Sequence, residues 1–160
     1  MANNTSTRTA IAALVLSAAG FVGILSHESY SPKAYIPVPG DVPTLGYGTT
    51  QGVKLGQTIT PTKAIQRAES DISKFEGAIK KCVKVPLYQY EYDAYMDLAY
   101  NIGTGAFCRS SIVKDLNTKN YSTACKDILK YNKQGGKVLP GLTSRRQEEY
   151  TQCMHLDKTQ

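Results

Sequence analysis

The sequence predicts a mostly helical α+β fold, and three observations lead there. A Pro- and Gly-rich passage runs into Leu45-Gly46-Tyr47-Gly48-Thr49, which alternates like a short strand or hairpin arm. Later stretches at 61–81, 88–102 and 142–155 carry apolar residues at helical spacing. Every connection between them is short, as in a compact helical lobe. A chain of 160 residues makes one ordinary domain with room for two lobes.

Taken in order, residues 1–9 are polar with one charge, Arg8, and Ala10–Leu25 carries no charge over sixteen residues. A bilayer span needs about twenty apolar residues, although Thr9, Ser26 and a neutral His27 lengthen the uncharged stretch. Four readings fit: a cleaved signal peptide, a permanent anchor, a weak anchor that lets go, or a buried core helix. Half of the sixteen are Ala, Gly or Ser. Such a segment gains little in lipid, because apolar transfer scales with side-chain area. An A-x-A site such as Ala10-Ile11-Ala12 lies ahead of the apolar core, and a cut near Leu25 leaves Glu28 on a frayed end. Both points speak against cleavage.

The stretch Glu28–Thr50 carries the candidate chemistry. Glu28 opens it; Pro32, Pro37, Pro39, Gly40 and Pro43 make it turn-rich; Asp41 lies inside, with Thr44 three residues on. A helix end bearing a Glu, facing a turn bearing an Asp and a Thr, makes a cleft with two carboxylates. Glycoside hydrolysis uses such a pair, one acid to protonate the leaving oxygen and one carboxylate to direct water or support positive charge. Acidic loop residues are also ordinary solvated groups, and these three residues alone do not separate the two readings.

After a turn at Gly52–Gly56, Thr60-Pro61 reads as a helix start, with Thr as N-cap and Pro at the first position. From Pro61 to about Lys81, Ala64, Ile65, Ala68, Ile72, Phe75 and Ile79 mark the apolar face, and Glu69, Asp71 and Glu76 read as surface charges. Val83–Pro86 is a break. Tyr88–Ile102 reads as the central buried helix, ended by Gly103. Ser110 or Ser111 caps a helix to Leu116, and Ser122 caps one from Thr123 to Lys130. Gly135-Gly136 and Pro140-Gly141 read as turns before a last amphipathic helix, Leu142–His155.

E-x6-Y followed by T-x-G-x-G, in Glu28, Tyr35, Thr44, Gly46 and Gly48, resembles the phage-type lysozymes of glycoside hydrolase family 24. Asn101-Ile102-Gly103-Thr104-Gly105-Ala106-Phe107, Gly135-Gly136-Lys137 with Gly141-Leu142, and Arg145-Arg146-x-x-Glu149 extend the likeness over roughly residues 28–155. The resemblance implies a lysozyme-like division: an N-terminal export segment at 1–26, then a lysozyme domain at 27–160. Within it, a small β lobe at 27–60 and a helical lobe at 82–160 are joined by a long helix at 61–81. It implies a muramidase cutting the β-1,4 bond from N-acetylmuramic acid to N-acetylglucosamine, with Glu28 similar to the general acid and Thr44 to the catalytic-site threonine. The family pattern sets its Asp nine residues after the Glu and six before the Thr. Here position 37 is Pro, the only Asp of the stretch is Asp41, and the loop is one residue longer. Asp41 is therefore the second candidate, ionised and steering a water that Thr44 holds. Carboxyls more than about 6.5 Å apart imply inversion, and about 5 Å a covalent intermediate.

Tyr35, Gly46, Gly135 and Arg145 are the candidate substrate contacts. Tyr35 either flanks the cleft or packs behind the hairpin. Gly135-Gly136-Lys137 and Arg145-Arg146 either make ordinary turn and surface charge or form a basic rim for stem-peptide carboxylates. Pairing of an arginine with Glu149 is a further option. The weak-anchor reading resembles the signal-arrest-release endolysins of the same family. It places the chain in the host inner membrane through residues 10–25 and then, as a monomer, in the periplasm on peptidoglycan glycan strands.

With 19 basic and 13 acidic residues the chain carries +6, which suits anionic polymers. Basic residues are not interleaved with aromatics, so a nucleic-acid partner is not expected. His27 and His155 lack zinc-ligand spacing, and neither metal nor cofactor is expected. Cys82, Cys108, Cys125 and Cys153 form an even set behind an export segment, which favours two disulfides. Three connectivities are possible. Packing of the late helices favours Cys125 with Cys153, leaving Cys82 with Cys108. A lytic transglycosylase, a non-catalytic wall-binding module tethered to the membrane, and a holin-like peptide with a soluble tail are the rival functions.

Overall fold

The uncharged run does not form one helix. In the computed structural model, which describes residues 7–156, it makes a short 3₁₀ turn at Ile11–Ala13, an extended residue at Leu14, and helix α1 over Ala18–His27. Carboxylates far along the chain take its backbone donors. Glu76 accepts the Leu16 N–H at 2.6 Å, and Asp93 accepts the Ser17 N–H at 3.1 Å and the Ser17 hydroxyl at 2.5 Å. Ser17 then caps α1 by accepting the Gly20 N–H at 3.0 Å. A Cβ on Gly20 would lie 2.9 Å from Asp93 Cγ, so only glycine allows this approach. Thr9 and Leu87 exchange two backbone hydrogen bonds, and Arg8 grips Glu91 at 2.7 and 3.0 Å. No described helix is long and apolar enough to cross a membrane. The polar lead ahead of Thr7, part of the expected export segment, lies outside the described residues.

The chain divides into two units, one holding Val22–Lys74 and the other the residues up to Phe21 and from Phe75. In the first, strands β1 (Ser31–Tyr35) and β2 (Thr44–Gly46) pair antiparallel ahead of helix α2 (Pro61–Cys82). Thr60 starts α2 as expected: its hydroxyl accepts the Lys63 N–H at 3.4 Å and its carbonyl the Ala64 N–H at 2.9 Å. Ala64, Ala68 and Ile72 are buried, while Ile65, expected on the apolar face, is 40% exposed. Gly46 has φ +64°, and a Cβ there would sit 3.0 Å from Ala64 Cβ. Its side-chain-free backbone lets α2 lie against β2.

The second unit is helical: α3 (Gln89–Ile102), α4 (Thr104–Cys108), α5 (Ser111–Asn117), α6 (Tyr121–Asp127) with a 3₁₀ turn at Ile128–Lys130, and α7 (Pro140–Cys153). Its core lies around α3, which is buried from Glu91 to Ala99 and packs on α7. Two expectations change. Asn120, not Ser122, precedes α6, and Ser122 sits inside the first turn. Pro140-Gly141 opens α7 instead of forming a separate turn, because Pro suits a first-turn position. Gly135-Gly136 is the two-residue turn of a hairpin, β3 (Lys133–Gln134) with β4 (Lys137–Val138), with φ +56° and +79°. Disulfides join Cys82 to Cys108 and Cys125 to Cys153, closing 26- and 28-residue separations. Loops of this size correspond to about 3 kcal/mol of stabilisation each in the chain-entropy account.

Two outcomes follow for stability. Gly46→Ala should lower the unfolding free energy by about 1–3 kcal/mol, read by denaturant titration, since it adds both left-handed strain and a tight contact; an unchanged midpoint contradicts this packing. Asp127 accepts hydrogen bonds from Ser111 and Lys130. Burial pushes its carboxyl up, but those bonds outweigh burial and hold it below the usual value. Its contribution is therefore present above the ordinary carboxylate range and lost as pH falls below about 4. Asp127→Asn should cost about 1–2 kcal/mol at neutral pH and flatten the acid limb of stability against pH; an acid limb identical to that of the unaltered chain contradicts the assignment.

Candidate active site

Glu28 is the first residue after α1. Its N–H continues the last turn to the Ile24 carbonyl at 3.2 Å, and Ile24 is fully buried, so the helix end is anchored by packing while Glu28 stays half-buried. β1 begins three residues later. Ser31 pairs with Gly46 and Tyr35 with Thr44. Four residue steps of β1 therefore lie against two of β2, and the ladder ends are only about 7 Å apart along β2. The bulge draws the Glu28 end of the hairpin toward the end that carries Asp41.

The connection from β1 to β2 holds Asp41 in a turn closed by the Asp41 N–H on the Val38 carbonyl at 2.9 Å. Asp41 is exposed and flanked by Val38 and Val42, 42% and 57% exposed. Thr44 heads β2, is buried, and its hydroxyl donates to the Val42 carbonyl at 3.3 Å. That bond orients the hydroxyl oxygen beside the Asp41 turn. Leu45 and Thr49 exchange backbone bonds at 2.9 and 3.1 Å around Gly46-Tyr47-Gly48. The Thr49 hydroxyl then donates to Asp71 at 2.7 Å, tying the hairpin to α2. The other edge of β1 is occupied too: Ala34 N–H bonds Gln57 and Ile59 N–H bonds Pro32. Tyr30 fastens the same corner through a bond to the Ile59 carbonyl at 2.8 Å and ring contact with Tyr47 at 5.4 Å.

Of the expected substrate contacts, Tyr35 is 42% exposed on β1 opposite Thr44, Gly46 is buried in β2, and Gly135 is exposed in the β3–β4 turn. The basic rim expected of Arg145 and Arg146 is not what forms, because both guanidiniums are buried. Arg145 bonds Asp97 at 2.6 Å and Glu149 at 3.3 Å; Arg146 bonds Glu149 at 2.9 Å and Asn101 at 3.0 Å. Burial pushes the Glu149 carboxyl up, to about 8, against the pull of Arg146 and Arg145. Asp71 and Glu76, expected to be surface charges, are half-buried and bonded, Glu76 to Leu16 and to the Tyr92 hydroxyl at 2.8 Å. Acid residues on an amphipathic helix give no sequence signal for such long-range partners.

A profile of the family described as phage lysozyme matches residues 25–149. The chain belongs to the phage lysozyme family. It is 38% identical over 138 residues to the endolysin of Bacillus phage B103, covering 85% of this chain and 52% of that protein. It is 34% identical over 141 residues to the SAR-endolysin of Pseudomonas phage phiKMV, covering 86% and 87%. The solved endolysin from Escherichia coli O157:H7 phage FAHEc1 superposes with a TM-score of 0.78 at 31% identity, covering 92% of this chain and 98% of that one. The chain spans about half the length of the first curated relatives it matches.

Arg146→Ala should cost about 3–5 kcal/mol in denaturant unfolding, because it removes a fully buried cation and leaves the buried Glu149 with Arg145 alone, at 3.3 Å. A loss under about 1 kcal/mol, as at an exposed pair, contradicts the buried network.

Proposed function

We propose that this chain is an endolysin, a muramidase that hydrolyses the β-1,4 bond between N-acetylmuramic acid and N-acetylglucosamine in peptidoglycan and so lyses the host cell. One observation carries the reading. The family match includes both Glu28, fixed at the end of α1, and Thr44, fixed at the head of β2, and the bulged hairpin between them holds Asp41 in its connection.

In this reading Glu28 is protonated and gives its proton to the glycosidic oxygen as the bond to the anomeric carbon breaks. Asp41, ionised, accepts a proton from a water as its oxygen attacks the anomeric carbon, and the Thr44 hydroxyl orients that water. Room for a water between the carboxyls corresponds to single displacement with inversion. Tyr35 offers an exposed ring at the edge of the hairpin, Gly46 lies where a Cβ would crowd Ala64, and Gly135 supplies a positive φ to the exposed β3–β4 turn. Arg145 contributes by holding α7 to α3 through Asp97.

Residues 10–25 act in this reading as a weak anchor that exports the chain to the host inner membrane and later releases it to the periplasm. Support comes from the Ala-, Gly- and Ser-rich composition and from the described fold, in which the segment is tied to Glu76 and Asp93. The phiKMV relative bears the name SAR-endolysin.

Glu28→Gln should lower lysis of purified wall by at least about 100-fold while the unfolding midpoint stays put. Asp41→Asn should lower it by a similar order; lysis at the unaltered rate by either variant removes that residue from its role. Fractionation of expressing cells should give uncleaved protein in both membrane and soluble fractions, with wall lysis from the soluble form. Recovery of a shortened product alone contradicts the anchor reading.

A further inference from the structure

The helical unit carries a groove that the proposed reaction does not use. It has a volume of about 720 Å³ and runs between the start of α1, the first turn of α3 and the last turns of α7; none of Glu28, Asp41 and Thr44 lines it. Its size falls within the range of small-molecule sites, about 300–1,000 Å³. Tyr90 and His155 stack at the groove with ring centroids 4.5 Å apart and planes 24° apart, and Tyr88 extends the stack past Tyr90 at 5.1 Å.

The chemistry of the lining selects a ligand class. Gln147, Thr151 and Gln152 come from adjacent turns of α7, and Gln89 faces them from α3. Amides and hydroxyls both donate and accept hydrogen bonds, which matches a ligand dense in hydroxyl and acetamido groups. Among the described residues the carboxylic acids of the lining are Asp93, which accepts hydrogen bonds from Ser17 and Gln89, and Glu148. Tyr90 is covered by Tyr88 on one face and His155 on the other, and an end ring of such a stack beside side-chain amides suits a pyranose, which lays its C–H face on the ring and turns its hydroxyls and acetamido group to the sides.

We propose that this groove is a second glycan-binding site, which takes a short run of N-acetylhexosamine units without cleaving it. The choice of polymer rests on the muramidase reading, whereas the match to an acetamido-bearing sugar rests on the amides, hydroxyls and rings of the lining. Holding one stretch of strand raises the effective concentration of the neighbouring stretches and keeps the enzyme on insoluble wall.

The test uses the full chain. Titrating the Glu28→Gln protein with a tetramer of N-acetylglucosamine should shift the backbone amide NMR signals of residues 89–90 and 147–155 in a saturable way. Tyr90→Ala with Gln152→Ala should weaken that response by about tenfold, as loss of the ring that holds the stack together and of a hydrogen-bonding amide implies. Gln152→Ala alone, at a half-buried position in the last turn of α7, serves if the ring change disturbs α3. With Glu28 intact, the same variants should lose activity several-fold on insoluble wall and keep their turnover of soluble wall fragments. Absence of shifts on this face overturns the proposal, as does a response to stem peptide in place of the sugar. Equal loss on both substrates also overturns it. Retained lysis by Glu28→Gln would instead remove the catalytic assignment and leave the groove readout intact.

Discussion

The bulged pairing of β1 with β2 is the constraint on which the candidate site depends. Two partner pairs, Ser31 with Gly46 and Tyr35 with Thr44, place unequal lengths of chain against each other. A regular hairpin would let β1 run to its full length of about 13 Å between those pairs. The bulge shortens it to match β2, so the chain leaving α1 and the chain entering β2 stay close. The hairpin is then fixed from outside. Gly46 admits Ala64 of α2 at a distance no other residue would tolerate, and Thr49 is bonded to Asp71. Rigid support of this kind is what acid–base chemistry needs, because small displacements of a proton donor cost large factors in rate.

The helical unit is built on a different principle. α3 buries three acids, and each is met by a different part of the chain: Glu91 by Arg8, Asp93 by Ser17, and Asp97 by Arg145. A buried carboxylate is costly unless it is paired or hydrogen-bonded. Arg8 adds cation–π contacts, 4.4 Å from the Tyr88 ring and 3.6 Å from the Tyr121 ring. These pairs make the N-terminal stretch an integral layer of the unit, although its composition reads as export signal. Two disulfides close the same unit from α2 to α4 and from α6 to α7.

Much of this architecture was legible in the sequence. Thr60-Pro61 marked the start of α2, Gly103 the end of α3, and the pair Ser110-Ser111 the start of α5, which Ser110 caps, because these signals act within one turn of the residues that carry them. The placement of Glu28 at a helix end was legible for the same reason, whereas Thr44, read as part of the turn, heads β2. What escaped the sequence depends on distant partners. For Arg145 and Arg146, pairing with Glu149 was legible as one option beside a basic surface, whereas helical periodicity cannot register an Asp97 or Asn101 more than forty residues away. Ala10–Leu25 read as a continuous apolar helix, since nothing near it in sequence announces that Glu76 and Asp93 take its amides. Pro140 was read as a turn when it is equally a good first residue for a helix.

The central claim is that a carboxylic acid at residue 28 and a directed water together cut one sugar linkage. Mass spectrometry of wall fragments released in water labelled with heavy oxygen tests it most directly. Hydrolysis predicts one labelled oxygen at each new reducing end, on N-acetylmuramic acid. Fragments ending in unlabelled 1,6-anhydro sugars would show that the same acid works without water, and would contradict the roles given to Asp41 and Thr44.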